Sequence, residues 1–133
     1  MAELAAGQYA RPAGRLKASV LWVLQIGSAL MFFFAGGFKL AGAEQMVGLF
    51  NVIGIGQWFR YLTGGLEVLG AIALLIPALA GLGAALLTAV MIGAVVTHLF
   101  ILHSPPTEPA LLLAAMVIVA WGRRDRIRRI LNR

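Results

Sequence analysis

Four apolar segments run through the chain, separated by short stretches that cannot continue a helix. They cover residues 18–38, 58–76, 82–102 and 109–122. About 20 apolar residues in a helix are enough to cross the hydrocarbon core of a bilayer. In lipid every backbone polar group must be paired within the protein, and helices meet that demand within one segment. The pattern therefore predicts an all-α integral membrane protein, a bundle of four spanning helices.

The composition excludes an ordinary soluble domain. Of 133 residues, 61% are hydrophobic and 12% are charged, whereas soluble domains average about 45–50% apolar and about 25% charged residues. Four spans use most of the chain and leave no room for a separate soluble domain. Because the chain contains no cysteine, disulfides, thiol relays and cysteine-ligated metal clusters are also excluded.

The connections between the segments differ in character. Between the first two spans, Met46, Leu49 and Phe50 share one face of a possible two-turn helix, which predicts a short interfacial helix. A tight turn at 77–81 and the proline-rich stretch 103–109 separate the later spans. A cleaved signal peptide is the alternative for the first segment, but its apolar run is longer than the roughly 7–15 residues of a signal core.

The basic residues predict the orientation. The chain has a net charge of +6, and nine of its eleven Lys and Arg residues lie in the segments 1–17 and 123–133. The positive-inside rule makes both segments cytoplasmic tails. Ile127, Ile130 and Leu131 have helical spacing among arginines, which fits a short helix on an anionic inner leaflet. A frayed, solvated tail is the alternative. No folded basic face exists for nucleic acid.

Glu67 is the residue that points most directly to a functional site. It lies near the middle of the second span, where an ionised carboxylate costs about 2.5–3.5 kcal/mol. The alternative is a packing role through hydrogen bonds between helices. Arg60 and Thr63 share its helix face, at spacings of seven and four residues.

Polar residues on the other spans complete a candidate pocket. Gln25 and Lys39 lie on one stripe of the first span, and His98 lies on the third. We expect a pocket that opens outward among the first three helices, with Glu67 at its floor. The predicted ligand-binding residues are Glu67, Lys39, Arg60, His98, Thr63 and Gln25. No catalytic residue is assigned and no metal site is expected.

Two expectations concern geometry. Lys39 and Arg60 lie about two turns above Glu67, or about 10 Å, so either would have to reach inward to pair with it. We therefore expect Glu67 to be protonated or hydrated. Close helix packing is expected at the glycines of the second and third spans, namely Gly64, Gly65, Gly70, Gly83 and Gly93.

Short motifs along residues 18–121 resemble the DoxX-like family of small bacterial membrane proteins. The matching features are residues 36–40 (GGFKL), Phe50 with Gly54, residues 65–70 (GLEVLG) and the glycines of the third segment. The resemblance implies a four-helix bundle in the bacterial cytoplasmic membrane. It also implies association with quinone-linked or thiol-linked oxidoreductases, such as the small membrane subunit of thiosulfate:quinone oxidoreductase. Without cysteine the chain supplies no thiol chemistry of its own.

These observations lead to one leading function and two alternatives. The leading hypothesis is a membrane subunit of a redox system that binds a quinone or another small lipophilic ligand beside Glu67. The second is a non-catalytic anchor or assembly subunit. A small-molecule transporter comes third, because four helices without an inverted repeat are visible. The expected partners are membrane lipids, a redox protein and a second copy of the chain. Whether the chain is an enzyme stays open.

Overall fold

The computed structural model describes residues 12–132, and their side chains from Gly14 onward. Six α-helices and one 3-10 turn make up this part of the chain, which contains no strand. The helices are α1 Pro12–Ala41, α2 Glu44–Ile53, α3 Gln57–Leu75, α4 Ala80–Phe100, α5 Thr107–Gly122 and α6 Arg124–Leu131, with the turn Pro77–Leu79 between α3 and α4.

Two helices begin earlier than the apolar pattern predicts. The helix α1 starts at Pro12, six residues before the predicted span, so residues 12–17 of the predicted tail are helical. Proline suits a helix start because the first turn needs no backbone donor. The rest of that tail lies outside the described residues. The helix α5 starts at Thr107 rather than at Pro109, which lies within its first turn. By contrast, α3 and α4 begin within two residues of their predicted positions.

Four helices pack side by side. Extensive contacts join α1 to α3, α3 to α4 and α4 to α5, while a smaller contact between α1 and α5 closes the group. Three helices are long and apolar enough to cross a membrane, within 14–41, 57–75 and 77–100; α5 is apolar but has only 16 residues. Phe32, Leu74, Leu87 and Met116 are fully buried between them. Many large apolar side chains point outward instead, as a surface against lipid requires.

Glycines set the distance between neighbouring helices. A Cβ atom on Gly36 of α1 would lie 2.7 Å from the carbonyl oxygen of Gly64 on α3. A Cβ atom on Gly70 would lie 2.6 Å from Leu87, and one on Gly83 would lie 2.8 Å from the Cβ atom of Ala73. The absence of side chains at these points allows the backbones to approach closely. The prediction of close packing is confirmed at Gly64, Gly70 and Gly83.

The same prediction is wrong at two glycines. A Cβ atom on Gly65 or Gly93 would have no neighbour within 4 Å. Gly65 follows Gly64 by one residue, or about 100° around the helix axis, which turns it away from α1. Gly93 faces open space beside the cavity described below.

At one end of the bundle, called here the terminal end, the start of α1 meets the end of α5. Leu21 packs against Gly122 there. The short helix α6 docks across the same end, where Ile127 packs against Gly81 and Arg126 donates a hydrogen bond of 2.7 Å to the Pro77 carbonyl. The tail helix is therefore formed, and the frayed alternative is wrong for residues 124–131.

Gly70 and Gly65 provide a matched test of this packing. Replacing Gly70 with Leu forces atoms into the position of Leu87, and we expect a loss of about 1–3 kcal/mol of stability or more. The Gly65→Leu variant adds the same side chain in open space and should unfold at nearly the wild-type temperature. Thermal unfolding in detergent measures both. Equal stability of the two variants would contradict the helix packing described here.

Candidate functional site

The crossing of α1 and α3 joins Lys39 to Glu67. The Lys39 Nζ atom lies 2.9 Å from Oε1 of Glu67, and the two side chains are only 13% and 3% exposed. Because α1 and α3 touch at Gly36 and Gly64, Lys39 packs beside Gly64, three residues before Glu67. The expected separation of two turns is therefore wrong: Lys39 pairs directly with Glu67.

A cavity of about 550 Å³ lies beside this ion pair. Apolar side chains from α1, α2, α3, α4 and α5 form most of its wall, including Phe32, Phe59 and Met91. Few polar residues interrupt this wall. They are Lys39, Thr63, Glu67, Thr97, His98 and Glu108.

The helix α2 covers the cavity at the end of the bundle opposite α6, called here the α2 end. Its residues Met46, Leu49, Phe50 and Ile53 line the cavity, so the apolar face predicted from sequence is turned inward. The ring of Phe50 lies 5.8 Å from the ring of Phe59 on α3. Residue 54, where α2 ends, has a φ of 82°, a conformation that favours glycine.

Arg60 is buried but does not line the cavity. Its Nε atom donates a hydrogen bond of 2.6 Å to Gln57, and its Nη1 atom donates one to the carbonyl of Lys39. Gln57 in turn donates hydrogen bonds to the Val47 carbonyl at 3.1 Å and to Asn51 at 2.8 Å. Arg60 therefore holds the end of α1, which carries Lys39, and is connected through Gln57 to α2.

Gln25 lies outside the cavity too, at the terminal end. It donates a hydrogen bond of 2.8 Å to the carbonyl of Leu74 in the last turn of α3, and it accepts one of 2.8 Å from Nε of Arg123. Helix ends leave backbone carbonyls without partners, and Gln25 supplies one here. Desolvation by burial lowers the pKa of the Arg123 guanidinium, whose Nη2 atom is buried and has no hydrogen-bond partner among the described residues.

His98 and Thr63 complete the set predicted from sequence, and both line the cavity. The Nδ1 atom of His98 lies 2.9 Å from the hydroxyl oxygen of Ser104, and the Ser104 amide donates to the His98 carbonyl at 2.9 Å. The first bond holds the imidazole, and the second holds the His98 backbone, against the connection between α4 and α5. The cavity thus brings together four of the six predicted residues, Glu67, Lys39, His98 and Thr63.

Sequence reasoning missed Glu108 and the polar residues that hold α2. Glu108 lines the cavity from the first turn of α5. In the sequence it lies between Thr107 and Pro109 and resembles an ordinary acid at a helix start. The signal that could have found it is a carboxylate next to an apolar span. Within residues 12–132, no three His, Asp or Glu side chains come together as metal ligands would.

The ion pair makes a prediction about stability. Replacing Lys39 with Met leaves Glu67 buried beside apolar groups, and we expect a loss of about 3–5 kcal/mol. The double variant Lys39→Met/Glu67→Gln should recover much of that loss, because no charge remains to be compensated. Thermal unfolding in detergent of the wild type, Lys39→Met, Glu67→Gln and the double variant gives the coupling energy. A double variant no more stable than Lys39→Met would argue against this pair as the source of the loss.

Comparison with known proteins gives one match. A profile of the DoxX-like family matches residues 23–121, which is more than half of the chain. No curated protein and no solved structure matches it. The matched segment runs from α1 to the end of α5 and contains both members of the ion pair. The resemblance noted in the sequence is therefore confirmed, and the chain belongs to the DoxX-like family of membrane proteins.

Proposed function

We propose that this protein is a membrane subunit of a quinone-linked redox system and binds a quinone or a similar lipophilic ring compound in its cavity. The observation that carries the proposal is the Lys39–Glu67 pair in the wall of a mostly apolar cavity. Most of the wall provides a hydrophobic surface, and the pair provides directional polar contacts at one place.

The ion pair is costly to bury and stabilises the fold little. Removing two charges from water costs several kcal/mol per ion, and apolar replacements of similar volume are often at least as stable. Intramembrane carboxylates are accordingly functional candidates. In this fold the Lys39–Glu67 pair faces a space large enough for a ligand, which favours a binding role over a purely structural one.

The size and lining of the cavity suit one ring with a short substituent. Ligand sites commonly enclose about 300–1,000 Å³ and combine apolar walls with a few placed polar groups. At about 550 Å³, with Thr63 and His98 on its wall, this cavity has that composition. A lipophilic ligand in the cavity would also explain why α2 turns its apolar face inward, because the ligand would contact that face.

The two members of the pair match both oxidation states of such a ligand. A quinone carbonyl accepts hydrogen bonds, and the Lys39 ammonium group is a donor. A hydroquinone hydroxyl donates, and the Glu67 carboxylate is an acceptor. When bound, the quinone supplies the redox chemistry, while Lys39 and Glu67 orient it and can hold a proton at the Glu67 carboxylate. The electrons would come from or go to a redox protein partner.

A non-catalytic anchor or assembly subunit is the second candidate. The observation that favours it is that Lys39 and Glu67 satisfy each other, and Arg60 is satisfied by Gln57 and the Lys39 carbonyl. Such a closed network holds α1, α2 and α3 in register without any ligand. A larger partner would then use the apolar outer surface of the bundle.

We further propose that α1, α3, α4 and α5 all cross the cytoplasmic membrane of a bacterium, with α6 on the cytoplasmic side. The segregation of charge supports this orientation. The terminal end carries Arg15, Lys17 and the arginines of residues 123–129, whereas Lys39 and Arg60 near the α2 end are engaged internally. The positive-inside rule places the more basic end in the cytoplasm.

Titration with decylubiquinone tests the ligand. We expect saturable binding to purified wild-type protein in detergent, followed by calorimetry, and at least tenfold weaker binding by Glu67→Gln, since a hydrogen bond to a charged group is lost. The matched control is Glu44→Gln, the same change at an exposed carboxylate of α2, which should bind normally. Absence of binding together with stoichiometric copurification of a larger complex would favour the anchor.

Reporter fusions test the orientation. A reporter that is active only in the periplasm, fused after Arg133, should be inactive, and a reporter that is active only in the cytoplasm should be active. The opposite pair of results would reverse the proposed orientation, and it would place the cavity cover α2 on the cytoplasmic side.

A further inference from the structure

We infer that the cavity exchanges its ligand sideways with the lipid phase, through a gap between α3 and α4. The gap, called here the α3–α4 gap, is bounded by Leu62 and Leu66 on α3 and by Ala89 and Gly93 on α4. The inference rests on the proposed function and specifies the class of ligand. That ligand is an amphipathic, lipid-soluble molecule whose polar head meets the Lys39–Glu67 pair and whose apolar tail lies in the gap.

The gap follows from how the two helices are joined. A turn of three residues connects α3 to α4, and near it the helices pack tightly, with Gly70 against Leu87 and Gly83 against Ala73. Farther from the turn this contact is replaced by the cavity, which Leu66 lines from one helix and Gly93 from the other. A Cβ atom on Gly93 would meet nothing within 4 Å. Toward the α2 end, residues of both helices therefore line the cavity.

Exposed residues line the cavity along this seam. Leu62 lines the cavity and is also 47% exposed, and Ala89 and Gly93 are exposed cavity residues as well. Three exposed wall residues favour an opening at this seam over the α5 side, where Glu108 is the one exposed wall residue among those described. Leu66 directly precedes Glu67 in the middle of α3, so the opening lies at the depth of the ion pair. When α3 and α4 span the membrane, as proposed above, lipid hydrocarbon surrounds them at this depth.

At the α2 end, the helix α2 lies between the cavity and the water. Phe50 is 4% exposed and covers the cavity together with other apolar residues of α2. Gln57 holds α2 through the Val47 carbonyl and the Asn51 side chain, and Gln57 is itself held by Arg60. A polar solute arriving from water would have to displace this cover. The outward-opening pocket expected from sequence is therefore replaced, in this proposal, by a pocket that opens to lipid.

The chemistry along the gap defines what can pass. The side chains at its border are aliphatic, and Leu86 continues this surface into the cavity. An acyl or prenyl chain interacts with such a surface about as favourably as with the hydrocarbon of the lipids. The tail of the ligand therefore adds little to the free-energy cost of passing through the gap. The head must be small and neutral enough to cross hydrocarbon, and it must offer hydrogen-bonding groups to Lys39, Glu67 or Thr63.

A second groove provides the competing route. It has a volume of about 540 Å³ and lies between α1 and α5, where Gly27, Met31 and Leu111 line it. Glu108 and Leu112 line both this groove and the cavity. Phe32 of α1 is fully buried and lines the cavity, and we expect its ring to obstruct this route.

Open glycines allow a matched experiment. The variants Gly93→Phe, Gly27→Phe and Gly65→Phe add the same ring at three positions without neighbours. The first ring enters the α3–α4 gap, the second enters the α1–α5 groove, and the third touches neither. Each variant is titrated with decylubiquinone and with ubiquinone-0, which has the head without the tail, after thermal unfolding has confirmed its fold.

We expect Gly93→Phe to bind decylubiquinone at least tenfold more weakly than wild type and to bind ubiquinone-0 within about twofold, because it obstructs the tail. Gly65→Phe and Gly27→Phe should match wild type with both probes. Should Gly93→Phe fail to fold, Ala89→Phe obstructs the same gap from an exposed position and should give the same result.

The remaining outcomes separate the two proposals. Wild-type protein that binds neither probe would overturn the proposed function itself. Wild-type binding with no change in Gly93→Phe would overturn only the α3–α4 gap. A selective loss in Gly27→Phe would overturn it in favour of the α1–α5 groove. Equal losses of both probes in Gly93→Phe would also overturn it, because they would place the head, rather than the tail, at Gly93.

Discussion

The contact between Gly36 and Gly64 is the constraint on which the rest of the site depends. These residues let α1 approach α3 so closely that a Cβ atom on Gly36 would overlap the Gly64 carbonyl oxygen. The approach places Lys39 next to Gly64 and therefore within hydrogen-bonding distance of Glu67. A wider crossing would leave the carboxylate without its cation, in surroundings where unpaired charge is expensive. In this fold the close packing of small residues therefore also determines where the buried charges lie.

Buried polar groups at both ends of the bundle are paired as well. At the α2 end, Arg60 holds the end of α1 through the Lys39 carbonyl, and at the terminal end, Gln25 supplies a donor to the Leu74 carbonyl. Helix ends in apolar surroundings need such partners, because water is scarce there. Each network joins helices that are distant in sequence. The apolar core of the bundle packs between these two hydrogen-bonded networks.

Periodicity and composition predicted the helices well and the relations between helices poorly. The apolar segments, Glu67 and the apolar face of α2 are local properties that the sequence carries directly, whereas the direction in which that face points is not. The direction of a side chain across a helix contact is different, because it depends on helix rotation and crossing angle. That is why Gly64 and Gly65 could not be told apart, why Arg60 was expected in the pocket, and why Glu108 was overlooked. The DoxX-like resemblance was recognisable because its motifs include two of the contact glycines, Gly36 and Gly70, and both members of the ion pair.

The unequal lengths of the helices have a consequence for the surrounding bilayer. The 16 residues of α5 span about 24 Å, less than the roughly 30 Å of a typical hydrocarbon core, while α1 with 30 residues is far longer than needed. If α5 crosses the bilayer as proposed, the lipid around it would thin or its headgroups would sink to meet the helix end, at a modest cost for each ångström of mismatch. Glu108 lies in the first turn of α5, so headgroups and water would come close to that carboxylate on this flank. Lipids with shorter chains would relieve the mismatch and gather along that flank.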